Sequence, residues 1–401
     1  MWSSYRKYLS QSSGFWQLLS IVCISLSSFL AAVVLSHLFT PEEYGVYRYI
    51  LAWTILSSFF TLSGANFAVT QATLDGAPGT LFSTIKARLI LGVFGALFFA
   101  GLAGYYLFQG NTELALLFAI YAPFVAISEG LTSHLGYFLG KKELRTNFLF
   151  EVSTNVLVTL FVICGVFLYG SVLVALVVSF TVTFLLRLFG TLYVLRKIPR
   201  NARSENVLHY SAKLTLFNMF EVAAQFLDKV IVFHFLGAAG LAFYVFTVIF
   251  VDQIRELLRV IIWKNIILDK EAISIFGFAN LRMVVSVCAV VLFVVYAALA
   301  PTLYEVFFPK YTSVVFASAI YALSFFTVYM YIPMYRYQQE RRTRMYGVHQ
   351  MVILISVGVF ISLGAIYFGL IGAMAGALLS KVVAAFSSYM LYGRFVYTKQ
   401  S

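Results

Sequence analysis

The sequence predicts an all-α polytopic membrane protein of about 12 transmembrane helices, because apolar stretches of roughly 20 residues recur along the whole chain. A helix of that length spans about 30 Å of bilayer hydrocarbon. The composition agrees, since 61% of the residues are hydrophobic and 11% are charged, whereas a soluble domain has about 25% charged residues. In addition to span length and composition, the basic residues concentrate in alternate gaps between the apolar stretches, as in membrane proteins with several spans.

The predicted spans are separated by short gaps, and most prolines fall in those gaps or close to span ends. The spans cover residues 14–39, 44–69, 89–108, 114–139, 148–168, 171–195, 209–236, 239–262, 281–304, 312–335, 346–368 and 370–393. Pro123 lies inside the fourth span, where the missing backbone N–H predicts a kink.

Charge placement predicts the orientation of these spans. Alternate gaps, counted from the N-terminus, contain most of the 28 basic residues, among them Lys86 and Arg88 in the gap before the third span. Short loops rich in Lys and Arg stay in the cytoplasm, so both termini are expected on the cytoplasmic side of the membrane. The net charge of +12 then reflects loops beside the anionic phospholipid bilayer, and no nucleic acid is expected as a partner.

The chain is predicted to form two halves of six spans each. One constant shift aligns His37 with His234 and Tyr47 with Tyr244. Because six is even, both halves enter the membrane from the same side, which predicts two six-helix bundles related by a parallel pseudo-two-fold repeat. The N-terminal bundle, a basic cytoplasmic linker and the C-terminal bundle are expected at residues 1–195, 196–208 and 209–401.

Two segments carry similar features at corresponding places in the halves. Residues 33–50, VVLSHLFTPEEYGVYRYI, place the turn L-x-x-P-E-E-Y-G-x-Y between two apolar helices. Residues 228–247, DKVIVFHFLGAAGLAFYVFT, contain an aspartate, an apolar run, a glycine turn and a tyrosine. Both resemble patterns of the polysaccharide (O-antigen) flippases in the multidrug/oligosaccharidyl-lipid/polysaccharide exporter superfamily, with weaker similarity at 307–315 and 368–380.

This resemblance implies a transporter in a bacterial inner (plasma) membrane rather than an enzyme. Its substrate would be an undecaprenyl-pyrophosphate-linked oligosaccharide, an O-antigen or capsule-type repeat unit, moved from the cytoplasmic to the periplasmic leaflet by alternating access. Glycan-assembly enzymes are then expected partners. Two alternatives are a cation-coupled multidrug exporter of the same superfamily, and a membrane-embedded glycan polymerase or acyltransferase. The latter would be expected to carry a large extracytoplasmic domain, whereas the predicted outward loops are short.

Polar residues follow one face of the predicted seventh span. Asn218, Glu221, Gln225 and Asp228 recur at spacings of three and four residues, which places them on one side of a helix. Charged groups within a span are costly in lipid and are functional candidates by default. The stripe therefore either lines an aqueous cavity or forms a buried network of interhelical hydrogen bonds.

Basic residues within spans are candidate contacts for the pyrophosphate, because Arg and Lys donate charge-assisted hydrogen bonds to phosphate oxygens. These residues are Arg48, Arg187, Lys213, Lys229 and Lys381. Simpler roles exist for most of them. Arg187 and Lys213 can extend to the cytoplasmic headgroups, Lys229 can pair with a carboxylate of its own helix, and Arg48 with the glutamates beginning span two. Lys381 lies near mid-span and is the strongest candidate.

Carboxylates within the spans admit structural and functional roles. Asp252, Arg255, Glu256 and Arg259 have the spacing of an ion-pair ladder along one helix face. Other carboxylates could neutralise the basic residues or bind a coupling Na⁺ or H⁺, and the sequence leaves both open. The histidines do not cluster at metal-ligand spacings, so neither a metal nor a cofactor is expected.

Overall fold

A computed structural model of the chain describes residues 13–62, 64–198, 207–268, 278–330 and 343–400. Across these ranges the chain forms α-helices and 3₁₀ segments, without a strand. Internal contacts divide it into two compact units. The first unit consists of residues up to Phe39 together with Trp53–Met219, and the second of Thr40–Ala52 together with residues from Phe220 onward. Helix α2 (Pro41–Leu56) therefore contributes residues to both units.

The first unit contains most of the helices of the N-terminal half. They are α1 (Ser13–Leu38), the end of α2, α3 (Ala65–Leu74), α4 (Thr80–Phe108), α5 (Thr112–Ser128), α6 (Ser133–Gly140), α7 (Leu144–Tyr169) and α8 (Val172–Leu195). Two 3₁₀ segments interrupt this series: Ser57–Thr61 lies between α2 and α3, and Glu129–Thr132 lies between α5 and α6.

The second unit contains longer helices. They are α9 (Val207–Leu268, whose start belongs to the first unit), α10 (Phe278–Phe307), α11 (Val315–Tyr321) and α12 (Thr343–Gln400), with 3₁₀ segments at Pro309–Val314 and Ala322–Met330. The predicted tenth span thus consists of 3₁₀ turns on both sides of the short α11. Its last predicted residues fall in 331–342, outside the described ranges.

Two helices turn back on themselves at a glycine. The apolar part of α9, Val222–Arg259, has 38 residues, and a straight helix of that length would measure about 57 Å, far beyond one bilayer crossing. Gly237 interrupts it with φ 74° and ψ −175°, a conformation open essentially to glycine alone. Gly369, with φ 61°, interrupts α12 in the same manner. Both turns lie where the predicted spans end and begin, so this part of the prediction is confirmed.

Membrane-spanning capacity agrees with the predicted fold class. Eight helices in the described ranges are long and apolar enough to cross a bilayer, and two bent helix pairs would add a crossing each. Because α9 and α12 each contain two antiparallel arms, the count reaches the roughly 12 crossings expected from the apolar stretches. The prediction of an all-helical polytopic membrane protein is confirmed.

The second and fourth predicted spans are not continuous helices, which corrects the sequence-based expectation. The helix axes bend by 50° between Pro41–Thr61 and Ala65–Leu74, and by 45° between Thr112–Val125 and Glu129–Gly140. In the first pair the chain leaves the 3₁₀ segment through Leu62, which has a positive φ of 51°. In the second pair the bend follows Pro123, close to the predicted kink.

Candidate functional site

Arg88 is a buried cation of the first unit, with 2% of its surface exposed. The sequence analysis assigned it to a cytoplasmic loop, and this was wrong, because α4 begins at Thr80 and carries Arg88 inside the helix. Its guanidinium donates hydrogen bonds to four oxygens from the two helix breaks and the helices that follow them. The acceptors are Thr61 O (2.7 Å), Asn66 Oδ1 (2.8 Å), Thr132 Oγ1 (2.9 Å) and Ser133 Oγ (3.0 Å).

Arg187, a predicted site residue on α8, is held by the second helix break. Its Nη1 donates to Glu129 Oε1 at 2.6 Å and to Ser128 Oγ at 3.2 Å. Glu129 also lies 4.0 Å from Nη2 of Arg88, so one carboxylate stands between two arginines. Arg187 is therefore paired within the first unit, which agrees with the alternative that carboxylates within the spans neutralise the basic residues.

Asp228 and Lys229 form an ion pair at the C-terminal end of the predicted polar stripe, in the second unit. Lys229 Nζ lies 3.0 Å from Asp228 Oδ1 and donates also to the carbonyl oxygen of Gln225 at 3.1 Å. From the other arm of α9, the Tyr244 hydroxyl donates to Asp228 Oδ2 at 3.0 Å. Of the two roles left open for Lys229, the structure shows the pairing with a carboxylate of its own helix, and its contact with a pyrophosphate stays a prediction.

The predicted ion-pair ladder continues on the second arm of α9. Arg255 lies 3.7 Å from Asp252, and Arg259 lies 2.6 Å from Glu256, so the pairs form as the spacing predicts. The Tyr321 hydroxyl of α11 also donates to Asp252 at 3.0 Å. Each of these carboxylates therefore has a cation of its own helix as a partner.

Lys381 is a half-buried lysine on the second arm of α12. It lies within electrostatic reach of both α9 pairs, Asp228 with Lys229 and Asp252 with Arg255. In the part of the chain that the structure describes, its ammonium group makes neither a hydrogen bond nor an ion pair. Among the described side chains near Lys381, the carboxylates of Asp228, Asp252 and Glu256 are paired with Lys229, Arg255 and Arg259, so Lys381 is one cation in excess of the carboxylates in this described cluster.

Arg48 belongs to the second unit and lies beside tyrosines rather than glutamates. Its guanidinium contacts the side chain of Tyr44, and its Nε is buried without a hydrogen-bond partner in the described ranges. Glu43 instead accepts a hydrogen bond from the backbone of Thr40, whose hydroxyl accepts one from Glu43 N. This reciprocal capping box begins α2. Among the described residues, neither glutamate beginning α2 forms an ion pair with Arg48.

The two sequence motifs lie against each other in the second unit. A methyl group on Gly45 would collide with the carbonyl oxygen of Ala238, which follows the glycine turn of α9. Aromatic rings flank this contact on both sides: the Tyr44 ring lies 4.6 Å from that of Phe246, and Tyr49 stacks 3.8 Å from Phe233. The glycine of the first motif thus permits close backbone packing against the second motif.

Several predicted site residues are placed only by their helix. Lys213, Asn218 and Glu221 belong to the first arm of α9, but their side chains lie outside the described residues. Gln225 is exposed, and its carbonyl oxygen holds Lys229. Whether this stripe lines a cavity stays a prediction. Within the described ranges, no group of three or more histidine, cysteine or acidic side chains could hold a metal ion.

Solved structures similar to this chain are membrane transporters. An inward-facing multidrug resistance MATE family transporter of the MOP superfamily is 13% identical, with 96% of this chain and 99% of that chain covered and a TM-score of 0.70. A MOP superfamily transporter from Pyrococcus furiosus, described as having reverse polarity of its binding pocket, is 11% identical, with coverages of 97% and 95% and a TM-score of 0.66. An outward-facing MATE transporter is 14% identical, with coverages of 98% and 96% and a TM-score of 0.61.

Sequence comparison identifies the family. Among curated proteins, none matches this chain. The family model described as "Polysaccharide biosynthesis protein" matches residues 11–263. This range includes both sequence motifs, the Arg88–Glu129–Arg187 contacts of the first unit and the α9 ion pairs of the second unit, but neither Lys381 nor Tyr321. The fold similarity and this match agree with a role in transport. The chain therefore belongs to the polysaccharide biosynthesis protein family and has the fold of the MOP-superfamily transporters.

Proposed function

We propose that this protein is a flippase that moves an undecaprenyl-pyrophosphate-linked oligosaccharide, such as an O-antigen or capsule repeat unit, across a bacterial inner membrane. The family match supports the polysaccharide context, and the fold supports transport. Under this proposal both termini are cytoplasmic, and glycan-assembly enzymes supply and consume the lipid-linked substrate. The protein then changes the leaflet of its substrate but none of its covalent bonds.

The observation that carries the proposal is the excess positive charge of Lys381 inside a membrane-spanning helix. A cation without an ion-pair partner in a membrane-spanning segment is costly and is normally retained for a function. Among the described neighbours, the carboxylates do not compensate it, because Asp228 and Asp252 are already engaged by Lys229 and Arg255. A diphosphate headgroup would supply the missing negative charge, and an ammonium group is a frequent phosphate ligand.

The alternative of a multidrug exporter is favoured by the likeness to MATE transporters. Cationic drugs require negative or aromatic surroundings, whereas the cluster around Lys381 carries more cations than carboxylates among its described members. A lipid-linked diphosphate therefore fits this cluster better than a cationic drug.

A transport assay in liposomes tests the proposal. Purified protein is reconstituted with a fluorescent short-chain prenyl-pyrophosphate disaccharide, and a membrane-impermeant quencher reports how much label has changed leaflet. We expect Lys381→Gln to lower the initial rate about ten-fold or more, corresponding to a lost interaction of about 1.4 kcal/mol. Lys381→Arg should retain most of the rate, because it keeps the positive charge.

The matched control is Lys197→Gln, which removes an exposed lysine in the turn that follows α8 and should leave the rate unchanged. Wild-type rates in Lys381→Gln would refute the role of Lys381. Efflux of ethidium by the wild-type protein without movement of the lipid-linked substrate would replace the flippase proposal with the drug-exporter alternative.

A further inference from the structure

The Arg88–Glu129–Arg187 cluster of the first unit has a second unusual property besides its burial. Its ion pairs involve two arginines and one carboxylate, so the cluster carries one excess positive charge among the described residues. The other acceptors of Arg88 are a carbonyl, an amide and two hydroxyl oxygens, which are neutral. Neutral acceptors satisfy the donor groups of Arg88 but leave its charge uncompensated.

Of the two arginines, Arg187 can contact a ligand. Arg88 is 2% exposed in its side chain, whereas Arg187 is 26% exposed. The contacts of Arg187 are all made by Nη1. Its Nε and Nη2 donate no hydrogen bond within the described part of the chain, and neither belongs to the buried unpaired atoms. One complete edge of the guanidinium is therefore accessible and available.

The geometry of this edge suits one chemical class of ligand. Nε and Nη2 of an arginine form a planar fork that binds two oxygens of a carboxylate or phosphate at once. Glu129 fixes the opposite corner of the guanidinium at 2.6 Å. Arg88 in turn lies between the two helix breaks, so the backbone that presents Glu129 is itself held in place.

We infer that the free edge of Arg187 is an anion-binding site for a phosphate or diphosphate group, with Glu129 and Arg88 as positioning residues. The inference deepens the proposed function, since the substrate there carries a diphosphate. The Arg187 site is distinct from Lys381, because Arg187 lies in the first unit and Lys381 lies in the second. The bound anion would neutralise the excess charge of the cluster.

Binding of inorganic pyrophosphate to the purified protein tests this site without any transport assay. Affinity is measured by calorimetry in nanodiscs of zwitterionic lipid, with Lys381→Gln as the background so that the second unit does not contribute through Lys381. We expect Lys381→Gln/Arg187→Gln to bind pyrophosphate about ten-fold more weakly or worse than Lys381→Gln alone. Equal affinities in these two proteins would overturn the inference.

A second variant covers the case in which Arg187→Gln fails to fold. Arg187→Lys keeps the charge and can still reach Glu129, but it lacks the planar fork. We expect weaker pyrophosphate binding with an unchanged melting temperature in the absence of ligand. Wild-type affinity in this variant would overturn the assignment of the free edge.

A lipid headgroup could supply the same phosphate chemistry as a soluble anion. Nanodiscs with phosphatidylglycerol and no pyrophosphate distinguish the two sources. A rise in melting temperature that depends on phosphatidylglycerol and is lost in Arg187→Gln assigns the site to a lipid phosphate. If the wild-type protein shows neither pyrophosphate binding nor this lipid effect, the inference is overturned. The Lys381 transport assay is unaffected by that result.

Discussion

Removal of the Arg88 side chain is the sharpest test of how the first unit is built. Arg88→Met keeps the length and apolar packing of the side chain but removes four hydrogen bonds and one ion pair. Breaking a buried charged interaction by removing one partner costs about 3–5 kcal/mol. Part of the effect is offset, because Glu129 keeps its 2.6 Å contact with Arg187 and the two hydroxyls also donate to carbonyl oxygens of their own turn.

We therefore expect Arg88→Met to lower the free energy of unfolding by about 3 kcal/mol, at the lower end of that range. Arg88→Lys should cost roughly half as much, because it keeps the charge but has three donors on one nitrogen instead of a five-donor fork. The measurement is reversible unfolding in mixed detergent micelles, followed by circular dichroism. Lys86→Met is the matched control, since Lys86 is exposed on the same helix, and it should change stability by no more than about 0.5 kcal/mol.

A loss below about 1 kcal/mol in Arg88→Met would contradict this reasoning. It would mean that the two helix breaks find other hydrogen-bond partners without Arg88. A cost in Lys86→Met equal to that in Arg88→Met would also contradict it, because the effect would then follow from charge removal on α4 rather than from the buried contacts.

Two glycine contacts give further predictions. Gly45→Ala should destabilise the protein by about 1–3 kcal/mol, because the added methyl meets the Ala238 carbonyl oxygen. Its control is Gly101→Ala on α4, where the added methyl meets open space and should cost no stability. Thermal unfolding of both variants measures the difference. Gly364→Ala should likewise separate the arms of α12 and lower stability by about 1–3 kcal/mol. Its control, Gly358→Ala on the same helix arm, has free space and should be neutral or slightly stabilising; equal losses in the two α12 variants would rule out the close contact as the cause.

The elements that the sequence predicts well are those fixed by local physics. The apolar lengths indicate the spans, and the predicted boundaries at 236/239 and 368/370 surround the observed turns at Gly237 and Gly369. The pairing of Arg255 with Asp252 and of Arg259 with Glu256 follows from helical spacing alone. In each case the partners are near in sequence, so periodicity is sufficient.

The candidate sites were predicted less well, because their geometry depends on distant segments. The sequence analysis assigned Arg88 to the basic gap before the third span. The residues next to it in sequence do not show that its hydrogen-bond acceptors lie 22 to 45 positions away. The break after α2 has neither glycine nor proline within Ser57–Thr61, so the apolar stretch indicates a continuous helix there. For Arg187 the residue was a candidate from the start, but its partner Glu129 is 58 positions distant.

The sequence by itself determined that this chain is a helical membrane protein with span boundaries next to Gly237 and Gly369, and its motifs identified the family. Hydrophobic length, charge bias and helical spacing are properties of consecutive residues, and they act before any long-range contact forms. Only the tertiary structure decided which charges are compensated. Whether a cation such as Lys381 or Arg187 keeps a free donor depends on which carboxylates the packed helices bring within a few ångströms, and that is a non-local property.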